Sequence, residues 1–401
     1  MRIMLINTYY YPEIVGGAEY SVKKLAEALS KAGHQVTVLC TGDESVHEMI
    51  DGVKVVRIKA NVPCRAIRRG EASACQKMAS RMKEIWNKGN ERLIEAVLIH
   101  EKPDVIHTNG LYDISPIVWK VAKRHGIRVV HTLRDYYLCC PLVSMECENN
   151  KCKFKNTLCP IHRKANIRAV KRYVDILTAP SSVTLNKVVN TMRLHTIETK
   201  VIPNAIDYDP SEMKLILEKK QSRNPSNVKF VYLGTLSEKK GVLWLLDSFE
   251  KIVDSNVELY IAGKGDLENK VKDSCSKDHR IHFVGFLEER QMNKLLEDMD
   301  VLICPSLWEE PFGRVVLDAY KHALPVIASD RGALPELLND GETGRVVHSM
   351  NKEELVTALR LYIDDHDVLV QQRANCIRKI NQYSITNQVV SFLKVYSGNQ
   401  I

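Results

Sequence analysis

The stretch "RIMLINTYYYPEIVGGAEYSVKKLAEALSKAG" (2–33) decides the fold class of this chain. Its first part, "RIMLINTYY", is an apolar run with the length of a buried strand. Its second part, "GGAEYSVKKLAEALSKAG", has apolar residues at helical spacing and ends at Gly33, which suits a helix C-cap. A buried strand that leads into an amphipathic helix is the repeating unit of a parallel sheet covered on both faces.

This alternation of predicted strands and helices continues along the chain, stops once and then begins again. Strand-like runs precede position 208 and resume after position 227, whereas residues 208–227 lack strand character and end in turn residues. We interpret 208–227 as a linker and predict an α/β protein with two Rossmann-like domains in tandem, facing a cleft. The domains are expected at 1–207 and 208–380. An amphipathic segment at about 381–401 predicts a last helix, which can pack on the first domain or on the second.

The composition, the first residues and the length of the apolar runs indicate the class of protein. The 401 residues have ordinary globular composition, and the first residues are typical of a strand and not of a signal peptide. No apolar run reaches the roughly 18–20 residues that span a bilayer, so we expect a cytoplasmic protein.

The net charge of +8 is concentrated in the first half. Residues 151–172 hold eight Lys and Arg without an acid, and residues 64–95 hold eight against four acids. This pattern is compatible with a solvated surface or with a face for an anionic partner. Because no aromatic residues are interleaved as in nucleic-acid motifs, we expect a phosphate or an anionic membrane surface, at the inner face of the cell membrane, and no nucleic acid.

Five of the eleven cysteines lie between 139 and 159. In a cytoplasmic protein such a cluster favours a metal over a disulfide, but no C-x2-C pair is present. A structural metal, a disulfide and ordinary thiols therefore all stay open. The candidate ligands of a structural metal are Cys140, Cys147, Cys152 and Cys159.

Two carboxylates stand eight positions apart in "WEEPFGRVVLDAY" (308–320), namely Glu310 and Asp318. Pro311 and Gly313 predict that a loop turns into a helix near 312–314. Eight residues of helix would separate the acids by about 12 Å, which exceeds the roughly 5–9.5 Å of a hydrolytic carboxylate pair. We therefore predict that they hold two ends of one extended ligand.

Other candidate residues follow predicted strands, where ligands of open parallel sheets bind. Gly16 and Gly17 precede a helix and could admit a phosphate, although a plain turn explains them equally well. Lys240 stands beside a helix start and could hold a diphosphate.

Three further features follow strands in the same way. "IAGKGD" (261–266) contains Gly263 but lacks the third glycine of the dinucleotide fingerprint. Gly285 ends a strand where backbone groups could contact a nucleobase. Arg134 and Asp135 follow a strand directly and form either a structural pair or part of a site, and His107 fits a core position better than a site.

Taken together, these stretches resemble glycosyltransferase family 4, whose members have the GT-B fold. The matching pieces span nearly the whole chain. They include "GGAE" (16–19), "DVIHTNG" (104–110), "VIPNAID" (201–207), "LGTLSEKKG" (233–241), "EEPFGRVVLDA" (309–319) and "LPVIASDRGALPEL" (324–337).

The resemblance implies a role for most of the candidates. Glu310 would contact hydroxyls of the donor sugar, and Asp318, one methylene shorter than the family's second glutamate, would bind the ribose. The backbone of Phe312 and Gly313 would face the sugar and diphosphate, and Lys240 would neutralise the leaving group.

In the first domain, Gly16 and Gly17 match the glycine loop and Asp135 matches the family's Asp. Besides Asp318, two positions depart from the family: Thr235 stands where many members have an arginine that binds diphosphate, and Arg134 stands where many have a histidine.

We therefore expect a retaining glycosyltransferase of the hexosyltransferase type. It would move a sugar from a UDP- or GDP-sugar to a saccharide or lipid-linked acceptor in cell-surface polysaccharide biosynthesis, with no metal or other cofactor. Two alternatives remain open. A non-catalytic nucleotide-sugar or saccharide binder would explain Thr235 and Arg134, and a nucleotide-sugar epimerase would have the same fold. A nicotinamide dehydrogenase is disfavoured because the sequence G-x-G-x-x-G is absent.

Overall fold

The computed structural model describes residues 1–143, 145, 158–222 and 227–398. The contacts of the chain divide it into two compact units. The first unit comprises residues 1–204 and 385–401, and the second comprises residues 205–384. Each unit is built on one sheet of mainly parallel strands, so the predicted tandem α/β fold is confirmed.

The first unit contains an eight-stranded sheet in the order β3-β4-β2-β1-β5-β6-β7-β8. Its strands are β1 (Arg2–Ile6), β2 (Gln35–Gly42), β3 (Val46–Ile50), β4 (Val53–Lys59), β5 (Val105–Thr108), β6 (Arg128–Thr132), β7 (Ile176–Ala179) and β8 (Glu198–Val201). Its helices are α1 (Gly17–Lys31), α2 (Ala74–Ile85), α3 (Glu91–Glu101), α4 (Ile117–Arg124), α5 (Leu158–Tyr173), α6 (Ser182–Met192) and α15 (Ile385–Ser397).

The opening stretch forms the centre of this unit. Residues 3–6 of β1 are at most 1% exposed, because β2 and β5 flank the strand and helices cover its faces. Helix α1 buries Val22, Leu25 and Leu29 against the sheet. Gly33 follows the helix with a φ of +85°, the left-handed conformation expected just after a helix end.

Strand β3 is an edge strand that the apolar runs did not predict. It pairs antiparallel with β4 through a two-residue turn at Asp51 and Gly52, both of which have positive φ. Aspartate followed by glycine is the usual sequence of such a hairpin turn. The strand is mostly exposed, so it lacks the apolar run that marks the buried strands.

The second unit contains a six-stranded parallel sheet in the order β11-β10-β9-β12-β13-β14. Its strands are β9 (Val228–Leu233), β10 (Val257–Ala262), β11 (Ile281–Gly285), β12 (Val301–Cys304), β13 (Val326–Ser329) and β14 (Gly344–Val347). Its helices are α7 (Pro210–Gln221), α8 (Val242–Phe249), α9 (Glu268–Lys277), α10 (Glu289–Asp298), α11 (Arg314–Lys321), α12 (Leu334–Leu337), α13 (Lys352–Asp364) and α14 (His366–Ile380).

The interpretation of residues 208–227 as a linker was wrong. Helix α7 occupies most of the segment, with the side chain of Asp209 as its N-cap and Pro210 at its first position. The helix buries Met213 and Ile216, and the ammonium group of Lys220 donates to the backbone oxygen of Leu296 at 3.0 Å. The segment is therefore part of the second unit.

Helix α15 packs on α1 in the first unit. Its Tyr396 hydroxyl lies 2.7 Å from Nδ1 of His107, whose Nε2 lies 2.6 Å from the hydroxyl of Thr132. Both ring nitrogens of His107 are therefore engaged in the core, as its fully buried position requires. Within the described residues, no helix is both long and apolar enough to cross a bilayer.

Candidate active site

The second unit brings Lys240 and Glu310 together. The ammonium nitrogen of Lys240 lies 2.5 Å from Oε1 of Glu310, and the hydroxyl of Ser306 donates to the same oxygen at 2.8 Å. Glu310 is 6% exposed and Ser306 is 1% exposed. Lys240 follows β9 and Glu310 follows β12, and these strands are neighbours in the sheet, so the pair lies where parallel sheets bind ligands.

The two loops that carry this pair are joined backbone to backbone. The amides of Leu307 and Trp308 both donate to the carbonyl of Lys239, at 2.8 and 3.0 Å. Gly241 has a φ of +71°, and a Cβ there would lie 1.8 Å from the carbonyl oxygen of Pro305. Only glycine permits this approach, which fixes the base of the Lys240 side chain.

A third loop, after β13, supports the backbone of Glu310. The amide of Ala333 donates to the carbonyl of Glu310 at 2.8 Å. Gly332 has a φ of +61°, and a Cβ there would lie 2.3 Å from both the nitrogen and the oxygen of Glu310. Sequence reasoning missed Gly332 and Ser306 as parts of the site. Their only signal was the family resemblance, which also covers "CPS" (304–306) with Ser306 and includes "DRG" (330–332) with Gly332.

Helix α11 begins within the predicted range of 312–314, but the four residues before it are not helical. Gly313 is its N-cap, with a φ of +98°, and the helix runs from Arg314. The estimate of about 12 Å between Glu310 and Asp318 was therefore wrong in its basis, because residues 310–313 do not have helical rise. Asp318 is 8% exposed, and burial raises the pKa of its carboxyl group.

Phe312 is a core residue and not a ligand-facing side chain. It is 4% exposed, and its ring lies 6.1 Å from the ring of Tyr383 in an edge-on contact. Any contact of Phe312 with a donor would therefore come from its backbone, as expected.

The remaining candidates of the second unit follow the three adjacent strands β9, β10 and β11. The amide of Gly263 donates to the carbonyl of Gly285 at 2.8 Å, and a Cβ on Gly263 would lie 1.8 Å from the carbonyl oxygen of Gly234. Gly285 has a φ of +73° and open space around its Cα. The side chain of Thr235 is exposed, and its carbonyl accepts from the hydroxyl of Tyr232. These residues line the same edge of the sheet as Lys240 and Glu310.

In the first unit, Arg134 and Asp135 follow β6 but do not pair with each other. The carboxylate of Asp135 accepts from the hydroxyl of Tyr112 and from the amide of Tyr137, and burial raises the pKa of this carboxyl group. Arg134 donates instead to the side-chain oxygens of Asn109 and Asn204.

The side chain of Glu19 already accepts a hydrogen bond at the N-terminus of α1. Gly16 has extended backbone, and its amide donates to Oε2 of Glu19 at 2.8 Å. A phosphate at this helix terminus would compete with the carboxylate of Glu19. The position of Gly17 as the first residue of α1 agrees with the expected helix start.

The cysteine cluster is described only in part. Cys140 is a buried free thiol and Cys159 is buried, whereas Cys147 and Cys152 lie outside the described residues. In the described part of the chain, no group of three or more His, Cys, Asp or Glu is arranged to hold a metal ion. The metal hypothesis for the whole cluster stays a prediction.

Two family models match the sequence. Residues 15–210 match "Glycosyltransferase Family 4", and residues 227–365 match "Glycosyl transferases group 1". An uncharacterized 42.6 kDa protein in the cps region of Klebsiella pneumoniae is 26% identical over 84% of this chain and 87% of its own length. The phosphatidyl-myo-inositol mannosyltransferase of Mycolicibacterium smegmatis is 24% identical over 99% of this chain and 93% of its own.

Solved structures resemble the whole chain. Sucrose-phosphate synthase from Thermosynechococcus elongatus superposes with a TM-score of 0.75 at 18% identity, covering 99% of this chain and 98% of the other. Anabaena HepE in complex with UDP-glucose superposes with a TM-score of 0.69 at 17% identity, covering 99% of this chain and all of the other. At these identities the likeness establishes the fold.

Proposed function

The chain belongs to the glycosyltransferases of the GT-B fold, and on that premise we propose that it moves a hexosyl group from a UDP- or GDP-sugar to an acceptor hydroxyl with retention of configuration. The observation that carries the proposal is the buried Glu310 carboxylate, held between Lys240 and Ser306 at the carboxyl ends of β9 and β12.

In this proposal the two carboxylate oxygens of Glu310 have different partners, one in the protein and one in the ligand. Oε1 accepts from Lys240 and from Ser306, which orients the carboxylate. Oε2 would accept from hydroxyls of the donor sugar. Lys240 is 30% exposed at its side chain and has further N–H donors to offer to a diphosphate.

The reaction would depend mainly on electrostatic stabilisation. The bond from the anomeric carbon to the diphosphate oxygen breaks, and the bond to the acceptor oxygen forms on the same face. The acceptor proton passes late to the departing phosphate. Lys240 and the N-terminus of α11 stabilise the charge that develops on the diphosphate, so no metal is required. Asp318 would bind the ribose, and Asp135 in the first unit would act on the acceptor side.

The acceptor is proposed to be a lipid-linked saccharide at the inner face of the cell membrane. The relatives include a protein of a cps region and a phosphatidyl-myo-inositol mannosyltransferase, which supports this class of acceptor. Helix α5 exposes a row of basic side chains with Ile161 at one end. The neighbouring helix α2 exposes Met78 and Met82. Basic and apolar side chains together fit an anionic lipid surface. The first basic residues of the predicted segment, 151–157, lie outside the described residues.

Vesicle flotation tests this membrane contact. The variant replaces three exposed basic residues of α5 with Gln: Lys164, Arg168 and Lys171. The matched control replaces three exposed lysines of α9: Lys270, Lys272 and Lys277. At about 1 kcal/mol per basic residue, the α5 variant should bind vesicles with anionic lipid roughly a hundredfold more weakly. Equal flotation of both variants, or no binding of the unmodified protein at physiological salt, would refute the contact.

Thermal unfolding with UDP, GDP, ADP or NAD, each with and without EDTA, tests the donor site. A ligand of the folded state raises the unfolding temperature by mass action. We expect UDP or GDP to raise it whether or not EDTA is present. Loss of the shift in EDTA would contradict the metal-independent mechanism. Nucleotide binding without transfer to any acceptor would favour the binding-protein alternative, and conversion of the nucleotide sugar without an acceptor would favour the epimerase.

A further inference from the structure

Arg134 carries a positive charge that the first unit does not neutralise. Its Nε donates to the side-chain oxygen of Asn109 at 2.9 Å, and one terminal nitrogen donates to the side-chain oxygen of Asn204. Its other terminal nitrogen, Nη2, is buried and has no hydrogen-bond partner in the described part of the chain. Both of its partners are neutral amides, which orient a guanidinium group without cancelling its charge.

The acid that attracts Arg134 is engaged elsewhere. Glu19 attracts Arg134 through space, but its carboxylate accepts from the amide of Gly16 at 2.8 Å. No carboxylate of the described residues lies within ion-pair distance of Arg134. Burial lowers the pKa of the Arg134 guanidinium to about 10, and the attraction of Glu19 offsets only part of this effect.

Arg134 is partly buried, and two fully buried arginines of this chain are treated differently. Arg65 faces Glu13 at 2.5 Å, and Arg373 faces Asp300 at 2.5 Å. A partly buried cation without a carboxylate partner is costly to keep. Nε of Arg65 also has no hydrogen-bond partner among the described residues, so the missing carboxylate is what distinguishes Arg134. Arg134 therefore has the features of a receptor for an anion and not of a structural clamp.

We propose that Arg134 binds an anionic oxygen group, a phosphate or a carboxylate, of a substrate that contacts the first unit. Arg134 follows β6 and its partner Asn109 follows β5, so the guanidinium lies at the ligand-binding edge of the sheet. Its planar donors suit the two oxygens of such a group. The proposal rests on the proposed function in taking this ligand to be a transferase substrate. The group belongs either to a phosphorylated substrate or to an acidic sugar.

The test uses thermal unfolding of the full chain with inorganic pyrophosphate, glucuronate or glucose at constant ionic strength. All proteins carry Lys240→Gln, which removes the expected diphosphate contact of the second unit. Arg134→Gln is compared with Arg124→Gln, whose guanidinium is 42% exposed and pairs with Glu91 and Glu95. The side-chain amide of the Gln that replaces Arg134 can still donate a hydrogen bond to Asn109 or to Asn204.

Two results are expected. Without ligand, the Arg134→Gln protein should unfold at or above the temperature of its parent, because an unneutralised, partly buried charge is removed. Pyrophosphate or glucuronate should stabilise the parent and the Arg124 variant, and bind roughly ten- to a hundredfold more weakly to the Arg134 variant. The effective anion distinguishes the phosphorylated substrate from the acidic sugar, and glucose should not distinguish the variants.

The proposal is overturned if Arg134→Gln lowers the unfolding temperature by several degrees, since that marks a structural clamp. It is also overturned if neither anion stabilises the parent, or if the shifts are the same in both arginine variants. Binding of UDP to the unmodified protein is measured separately. Its failure would count against the proposed function, whereas the anion result would still decide the role of Arg134.

Discussion

Replacing Lys240 with Gln should lower kcat about a hundred- to a thousandfold while leaving the protein folded. The ammonium group lies 2.5 Å from Glu310, and the two side chains are 30% and 9% exposed. This pair is intermediate between surface pairs, worth up to about 1 kcal/mol, and fully buried pairs, whose disruption costs about 3–5 kcal/mol. We therefore expect a stability loss of about 2 kcal/mol. Ser306 still donates to the carboxylate and limits the loss.

The larger effect should fall on the reaction itself. Removing one preorganised charge from the place where negative charge develops costs about 10²- to 10³-fold in kcat. The assay measures nucleoside diphosphate release from the donor that the unfolding experiment identifies, with the unfolding temperature recorded in parallel. Lys239→Gln is the matched control, because that side chain is exposed and its neighbour carries the contact to Glu310.

Two results would refute this reasoning. The first is a Lys240→Gln protein that keeps more than about a third of the kcat of the unmodified protein, since the charge would then be dispensable. The second is an equal loss in the Lys239 variant, since any positive charge on the loop would then suffice. A double variant with Glu310→Gln should lose less activity than the sum of the two single changes, because both act through one contact.

Three further predictions concern the framework. Gly332→Ala would place a Cβ 2.3 Å from the backbone of Glu310, so we expect at least about 2 kcal/mol of lost stability and a large drop in donor affinity, measured by urea unfolding and calorimetry. Burial lowers the pKa of His322 to about 4, so its folded form binds fewer protons than the unfolded chain between pH 4 and 6.5. The stability advantage of the parent over His322→Gln should therefore shrink by about 3 kcal/mol as pH falls through this window. Arg373→Met would leave Asp300 buried without its 2.5 Å partner, and urea unfolding should show a loss of about 3–5 kcal/mol.

The sequence predicts the buried strands well, because a parallel strand covered on both faces must be apolar throughout. Strands β5, β7, β12 and β13 are buried along their whole length, and β1 is buried from Ile3 to Ile6. Strand β3 lies at an edge and is mostly exposed, so no apolar run marks it, although Asp51 and Gly52 mark its hairpin. Helix α7 was missed because its apolar face is narrow, with Met213 and Ile216 as its buried apolar residues.

Some residues of the candidate site can also be predicted from the sequence, and others cannot. Lys240 and Glu310 are identifiable from the sequence because they belong to family motifs, and the structure places them in contact. The contact of Gly332 with Glu310 joins two different loops, and no local pattern predicts which loops meet. Ser306 lies in the same loop as Glu310, but the loop is irregular and its sequence does not predict their hydrogen bond. The unneutralised charge of Arg134 is also invisible in the sequence, since it depends on where the carboxylates of the folded chain lie.

Within each unit, the loops that follow the strands are held in place by a different kind of contact. In the second unit, Gly241 and Gly332 allow loops to pack backbone against backbone, so Lys240 and Glu310 are positioned by steric contact. In the first unit, the loops after the strands are joined by ion pairs, such as Arg65 with Glu13. Steric contacts are indifferent to salt, whereas partly exposed ion pairs are screened. Increasing salt should therefore weaken interactions of the first unit before it disturbs the geometry of the Lys240–Glu310 loops. Amide exchange measured over a salt series would detect this order, and earlier loosening of the loops after β9 and β12 would contradict it.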